Sequence, residues 1–385
     1  MDKVRLGIIG IGNMGSSHLK KLCNGECPEI TPAAVCDINP ERLDWAEKEY
    51  PEIARFDDAE KMMDSGLIDA VLVAVPHYDH TTFSIMGMKK GLHVMCEKPA
   101  GVYTKQVKEM NEIAAQCDVK FGMMFNQRTN CLYRKLREIV QSGKYGEIRR
   151  TNWIITTWYR TQNYYDSGSW RATWSGEGGG VLLNQCPHQL DLWQWICGMP
   201  SKVFTKMYYG KWHDIEVEDD VTTIVEYPNG AVGTFITTTG DAHGTNRLEI
   251  TMDGAKIICE DTTIKITEFE TPVSEHITTA IGFSNPTIMA EHTINCTGSN
   301  EQHMGVLKAF AAAILRNEPL IADGTEGIKG LTLSNAMHLS AWTGKEIEID
   351  TLDDELYYEE LMKRVATSRR KPECKSVVIS TEGTY

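Results

Sequence analysis

The chain has 385 residues, 42% hydrophobic and 24% charged, with a formal net charge of −14 and a sequence pI near 5.3. That length suits two domains that each bury a core, and the acidic balance argues against a nucleic-acid surface. No apolar run approaches a membrane span, and the chain enters a strand-sized apolar run almost at once with no signal-peptide pattern, so a soluble cytoplasmic protein is expected. Eleven scattered cysteines, mostly in apolar stretches, read as reduced core thiols, and neither structural zinc nor another metal is expected.

From the N-terminus to about residue 125, short apolar runs alternate with helix-period segments. Arg5–Ile9, Thr31–Cys36, Ala70–Ala74, His93–Cys96 and Lys120–Phe125 read as strands, and the alternation predicts a doubly wound parallel sheet. The first run, which begins at Val4, leads into "GIIGIGNMGSSH", where Gly10, Gly12 and Gly15 give G-x-G-x-x-G between a strand and a helix. Asp37 ends the second strand, 22 residues beyond Gly15. A tight turn, a close backbone approach, an anion-binding helix N-terminus and a carboxylate for the adenosine ribose together form a dinucleotide fingerprint. A carboxylate at Asp37 would repel the extra phosphate of NADP, which favours NAD; Arg42 nearby is expected to be solvated.

After residue 126 the pattern changes. Residues 126 to 198 read as helices with an aromatic-rich segment, and 201 to 270 as successive strands, with a hairpin turn at Pro228, Asn229 and Gly230. Strands without intervening helices predict a large, mostly antiparallel, open sheet. Helices follow over His303–Arg316 and near Gly327–Thr343. The expected organisation is therefore an α/β Rossmann domain, 1–125, and an α+β domain, 126–385, for substrate binding and oligomerisation. "DIEVEDD", residues 214 to 220, reads as a solvated strand edge, and "RRKPECK" as a solvated tail.

Two stretches point to chemistry. In "HVMCEKPAG" a strand runs into Glu97-Lys98-Pro99, which places Lys98 at the carboxyl edge of a parallel sheet, where such sheets bind ligands. In "NQCPHQLDLWQWICGMP", Asn184, His188, Asp191 and Trp195 have the spacing of one helical face, although Pro187 opposes a continuous helix across Leu183. Between them, "WYRTQNYYDSGSWRATWSGEGGG" offers aromatic faces with polar tips for a sugar ring, Trp170 among them, and Arg160 or Arg171 could fork onto hydroxyls or a carboxylate.

Taken together, "GIIGIGNMGSSH", "AVCDINPER", "DAVLVAVPHYDH", "GLHVMCEKPAG" and "GEGGGVLLNQCPHQLDLWQWICGMP" resemble the Gfo/Idh/MocA oxidoreductases over at least residues 4 to 345. The resemblance implies a nicotinamide-dependent dehydrogenase or reductase, and an oligomer, dimer or tetramer, formed through the open sheet; with the aromatic segment and Asp37 the expected function is oxidation of a secondary hydroxyl of a sugar or glycoside by hydride transfer to NAD. It assigns catalytic roles to Lys98 and His188. It implies cofactor contacts from Gly10, Gly12, Asn13, Met14, Asp37, Pro76, His80, Glu97, Lys98 and Asn126, and substrate contacts from Lys98, Arg160, Trp170, Arg171, Asn184 and His188.

An ordinary histidine pKa suits a base at neutral pH, whereas a lysine needs its own lowered by about 3 units. His188 is thus expected as base and Lys98 as the donor that polarises the reacting oxygen. Many relatives have aspartate where this chain has Asn184, and an amide gives Lys98 no counter-charge. Oxidation of a glycoside 3-hydroxyl would permit elimination, so a redox-neutral NAD-dependent glycosidase is an alternative. A non-catalytic regulator that senses nucleotide and sugar is another.

Overall fold

The computed structural model describes residues 2–298, 300–369 and 371. Six parallel strands form the first sheet: β1 (Val4–Ile9), β2 (Ile30–Cys36), β3 (Ala54–Phe56), β4 (Ala70–Val73), β5 (His93–Cys96) and β6 (Phe121–Met123). Their order is β3-β2-β1-β4-β5-β6. β4 is buried at every position because helices cover both faces of a doubly wound sheet. β3 is Ala-Arg-Phe, too short to show an apolar run. The strand order reverses between β1 and β4, which opens a crevice at their carboxyl ends.

Nine strands form the second sheet: β7 (Ile148–Ile155), β8 (Lys202–Tyr209), β9 (Glu218–Glu226), β10 (Val232–Thr238), β11 (Asn246–Met252), β12 (Ala255–Glu260), β13 (Thr263–Phe269), β14 (Ile288–Asn295) and β15 (Ile347–Glu348). The order is β14-β13-β12-β11-β7-β10-β9-β8-β15, with only the β7–β10 pair parallel. β7 sits at the centre although it lies in the stretch expected to be helical. Its sequence, IRRTNWII, is too polar in its first half to stand out. Along β9 the buried and exposed positions alternate, so one face packs inward while Phe204 and Ile224, paired across β8 and β9, stand about half exposed on the other.

The two cores do not follow the chain order. Helix Gln302–Arg316 contributes Met304, Val306, Leu307, Phe310 and Ala311 to the cluster that contains Val4, Leu6 and Ile8 of β1. Chain from beyond β14 thus returns to cover the first sheet. At the other end, Lys371 Nζ donates to the Tyr165 carbonyl at 3.0 Å and Arg369 pairs with Asp214 at 2.7 Å; most of "RRKPECK" lies outside the described residues.

Candidate active site

The crevice above β1 and β4 continues into a cavity of about 780 Å³ that reaches the second sheet's helices. At one end lies the glycine turn. Gly10 has φ +84°, and a Cβ there would stand 2.8 Å from the Ala74 carbonyl oxygen. A Cβ on Gly15 would meet the Gly10 carbonyl at 1.9 Å, so the helix Asn13–Cys23 can begin so close to β1 only with glycine there. Gly12 faces open space, and the helix has no side-chain cap. A helix N-terminus that begins at an unobstructed glycine, with no capping side chain from Gly12, suits a pyrophosphate. Asp37 accepts the N–H of Ile11 at 2.8 Å and that of Asn39 at 2.9 Å, so its carboxylate both anchors the glycine turn and borders the cleft. Arg42 also lines this end rather than lying in free solvent.

In the middle, Glu97, Lys98 and Pro99 follow β5. The Glu97 carboxylate is buried; burial would raise its pKa, but the hydrogen bond from His18 Nε2 at 2.6 Å and the neighbouring charges hold it at about 2. His303 completes a buried cluster whose ligand-type atoms all lie within 4.8 Å of one another. The Lys98 ammonium is half-buried and donates to the backbone carbonyl of Asn184 at 2.9 Å. Burial lowers its pKa against the pull of Glu97 and Glu177. His188 is buried in the same wall with no protein partner on either ring nitrogen among the described residues. Burial, reinforced by the Lys98 charge, drives its pKa well below the ordinary histidine value, so the imidazole is neutral.

A break in the helix sets this geometry. Val181–Gln185 forms a wide π-type turn, and the regular helix starts afresh at Pro187 and runs to Cys197. Proline in the first turn has no N–H to satisfy and a preset φ, so it starts this helix instead of kinking one. Asn184 consequently lies outside the helix that carries His188. Its amide binds the buried carboxylate of Glu177, whose second oxygen accepts the Ala172 N–H at 2.6 Å. Burial raises the Glu177 pKa to about 7. The regular helix is held by Arg128, which donates twice to the buried Asp191 carboxylate, at 2.8 and 2.7 Å, while stacking on Phe125 and Trp195.

The aromatic segment forms the remaining wall. Trp158, Arg160, Tyr164, Trp170 and Arg171 line the cavity with Asn184, Gln185 and His188. Of the expected cofactor and substrate residues, Asn126 is the one absent from the lining; it is buried beneath, with its amide on Gln302. Glu177 escaped sequence reading because an acid before three glycines looks like an exposed turn. Its only hint was the lack of a charge at residue 184. "DIEVEDD" requires correction: Glu218 and Asp219 are fully buried. Glu218 accepts the N–H groups of Gly180 and Leu182, and Asp219 those of Lys211, Trp212 and His213. Loops with unpaired backbone donors recruited these acids inward.

Comparison with known proteins gives two family matches. Residues 4–125 match the "Oxidoreductase family, NAD-binding Rossmann fold" and residues 133–258 the "GFO/IDH/MocA C-terminal domain". D-glucoside 3-dehydrogenase of Escherichia coli is 26% identical, with 90% of this chain and 97% of the relative aligned. The rhizopine catabolism protein MocA of Rhizobium meliloti is 28% identical over 53% of this chain and 60% of its own length. The solved structure of the WlbA dehydrogenase of Chromobacterium violaceum, in complex with NADH and UDP-GlcNAcA, superposes with a TM-score of 0.77 at 27% identity, covering 90% of this chain and 96% of that one.

Proposed function

Because the chain belongs to the Gfo/Idh/MocA family of NAD-dependent oxidoreductases, we propose that it oxidises a secondary hydroxyl of a sugar or glycoside, with Lys98 and His188 handling the proton. The observation that carries this reading is the convergence of the Lys98 ammonium and the unpartnered, neutral His188 ring on one cavity that also opens onto the glycine turn. NAD, when bound, supplies the hydride acceptor. Gly12, the uncapped helix at Asn13 and the Asp37 carboxylate are the groups suited to hold its pyrophosphate and adenosine ribose. His188, neutral throughout the physiological range, can accept a hydroxyl hydrogen. Lys98 donates to the reacting oxygen, and its lowered pKa brings it nearer the range in which it can release and recover a proton. Burial lowers both values, weakening His188 as a base and making the neutral amine of Lys98 more accessible, so the two share a task that ordinary pKa values would give to the histidine alone.

A panel of sugars and glycosides, followed by both nicotinamide absorbance and product mass, tests the activity and separates oxidation from redox-neutral hydrolysis. Lys98→Ala and His188→Ala should each slow single-turnover hydride transfer by about 10²- to 10⁴-fold while NAD still binds. Near-native rates in both variants would refute the assignment. The half-exposed apolar pair Phe204 and Ile224 supports self-association through the open sheet, and the ten free thiols among the described residues suit the cytoplasm. Sedimentation of the purified protein reads the first directly.

A further inference from the structure

We propose that the substrate carries a carboxylate, as in a uronic acid or its glycoside, and that Arg160 and Arg171 form its binding site on the aromatic wall of the cavity. This rests on the dehydrogenase reading for the sugar but not for the charge. The two guanidiniums flank Tyr164, at 5.1 and 4.8 Å from the ring centre, and each lies over a tryptophan as well, Arg160 over Trp158 and Arg171 over Trp170. Stacking fixes the planes of the guanidiniums and leaves their edges free to donate. Arg171 spends one donor on the Tyr164 hydroxyl at 3.1 Å, and Arg160 one on the Tyr159 carbonyl at 2.9 Å. Each guanidinium has five N–H donors, so most remain uncommitted. The Nε of Arg160 is buried with no acceptor from the described residues, a situation that folded proteins tolerate where a ligand completes the bond.

The charges around them make the case for an anion over a hydroxyl. Among the described residues neither arginine lies within ion-pair distance of a carboxylate, whereas Arg128 is fully paired with Asp191. Lys98 is a third cation on the same cavity, and the fields of Arg160 and Arg171 both act on it. Glu97 lines this region but is committed to His18. Glu177 is close enough to sense Arg171, yet its oxygens are taken by Ala172 and Asn184. Three cations thus line one cavity of a protein whose net charge is −14. A planar carboxylate matches the guanidinium fork in shape and charge. The cofactor's pyrophosphate is the other anion available, and the glycine turn with its uncapped helix already provides for it.

Matched pairs separate these sources: methyl glycosides of glucuronic acid and glucose, of galacturonic acid and galactose, and of mannuronic acid and mannose, titrated calorimetrically into the NADH-loaded protein. At least one acid should bind about tenfold or more tightly than its neutral partner, the advantage of charge-assisted hydrogen bonds, and the gap should narrow with added salt. Arg160→Gln and Arg171→Gln should each remove most of that gap with NADH affinity essentially unchanged. Arg160→Lys, which keeps the charge and loses the fork, should retain part of it and guards against a folding defect. If every neutral glycoside binds as well as its acid, the proposal is wrong. Loss of NADH affinity with an unaltered acid-to-neutral ratio would assign the arginines to the cofactor. Because binding is the readout, failure of all sugars to reduce NAD would refute the dehydrogenase reading without touching this one.

Discussion

At the scale of single residues, the acid near Lys98 comes from position 177 and not from 184. Above about pH 7 Glu177 is ionised and accepts from both Ala172 and Asn184. Below that pH one oxygen becomes a donor and the Asn184 turn that holds the Lys98 ammonium loses an anchor. The single-turnover rate should therefore fall on acidification through a transition near pH 7. Glu177→Gln should lie on the lower plateau without that transition, and a transition that survives in this variant would assign it to another group. The linkage sign follows from the same shift: the folded carboxyl binds its proton more tightly than its ordinary value of 4.5 allows, so its contribution to stability declines as pH rises from that value through 7. At the far end of the cleft, Asp37→Ala removes a carboxylate that also pins Ile11. NAD should bind about ten- to hundredfold more weakly, with less discrimination against NADP. Tighter binding of NADP than NAD by the wild type, in direct titration, would overturn the role given to Asp37.

The element that decides the proposed reaction centre is the helix Pro187–Cys197. Heptad-like spacing put Asn184 on its face with His188, but Pro187 starts the helix, and the wide turn before it carries Asn184 separately. What remains of the predicted face is real: Asp191 and Trp195 both meet Arg128, which enters from the turn after β6. This pair crosses from the first sheet's exit to the helix that bears His188. With both side chains about 1% exposed, removal of Asp191 takes both of its hydrogen bonds from a buried guanidinium and leaves it only the partly exposed Glu326 carboxylate at 3.1 Å. Asp191→Ala should therefore lower the free energy of unfolding by about 3–5 kcal/mol, read by urea denaturation, and Asp191→Asn should cost less because the amide still accepts one hydrogen bond. A loss below about 1 kcal/mol, the level of a surface pair, would show that the ion pair does not anchor the helix.

For the molecule as a whole, helix Gln302–Arg316 joins the two halves by packing beneath the first sheet. Phe310 is fully buried there, and Phe310→Ala should destabilise the protein by about 3–5 kcal/mol through cavity formation. A fragment ending at residue 125 lacks this cover and should show no cooperative thermal transition. If it melts cooperatively with NAD bound, the first domain is self-sufficient and the returning helix is dispensable.

The sequence by itself determined the parallel sheet, its glycine turn and the acid at Asp37, because each depends on local order: a strand period, a turn residue, a fixed offset; Lys98 and His188 stood out only through the resemblance of their motifs to the family. It also carried the aromatic wall, whose composition survives any arrangement. Tertiary structure alone decided that β7 is central, that Glu177 replaces a charge at 184, that Glu218 and Asp219 turn inward, and that residues beyond 301 close the first core. In each of these the deciding partner is distant in sequence or is a backbone N–H group, and neither leaves a periodic trace in the chain.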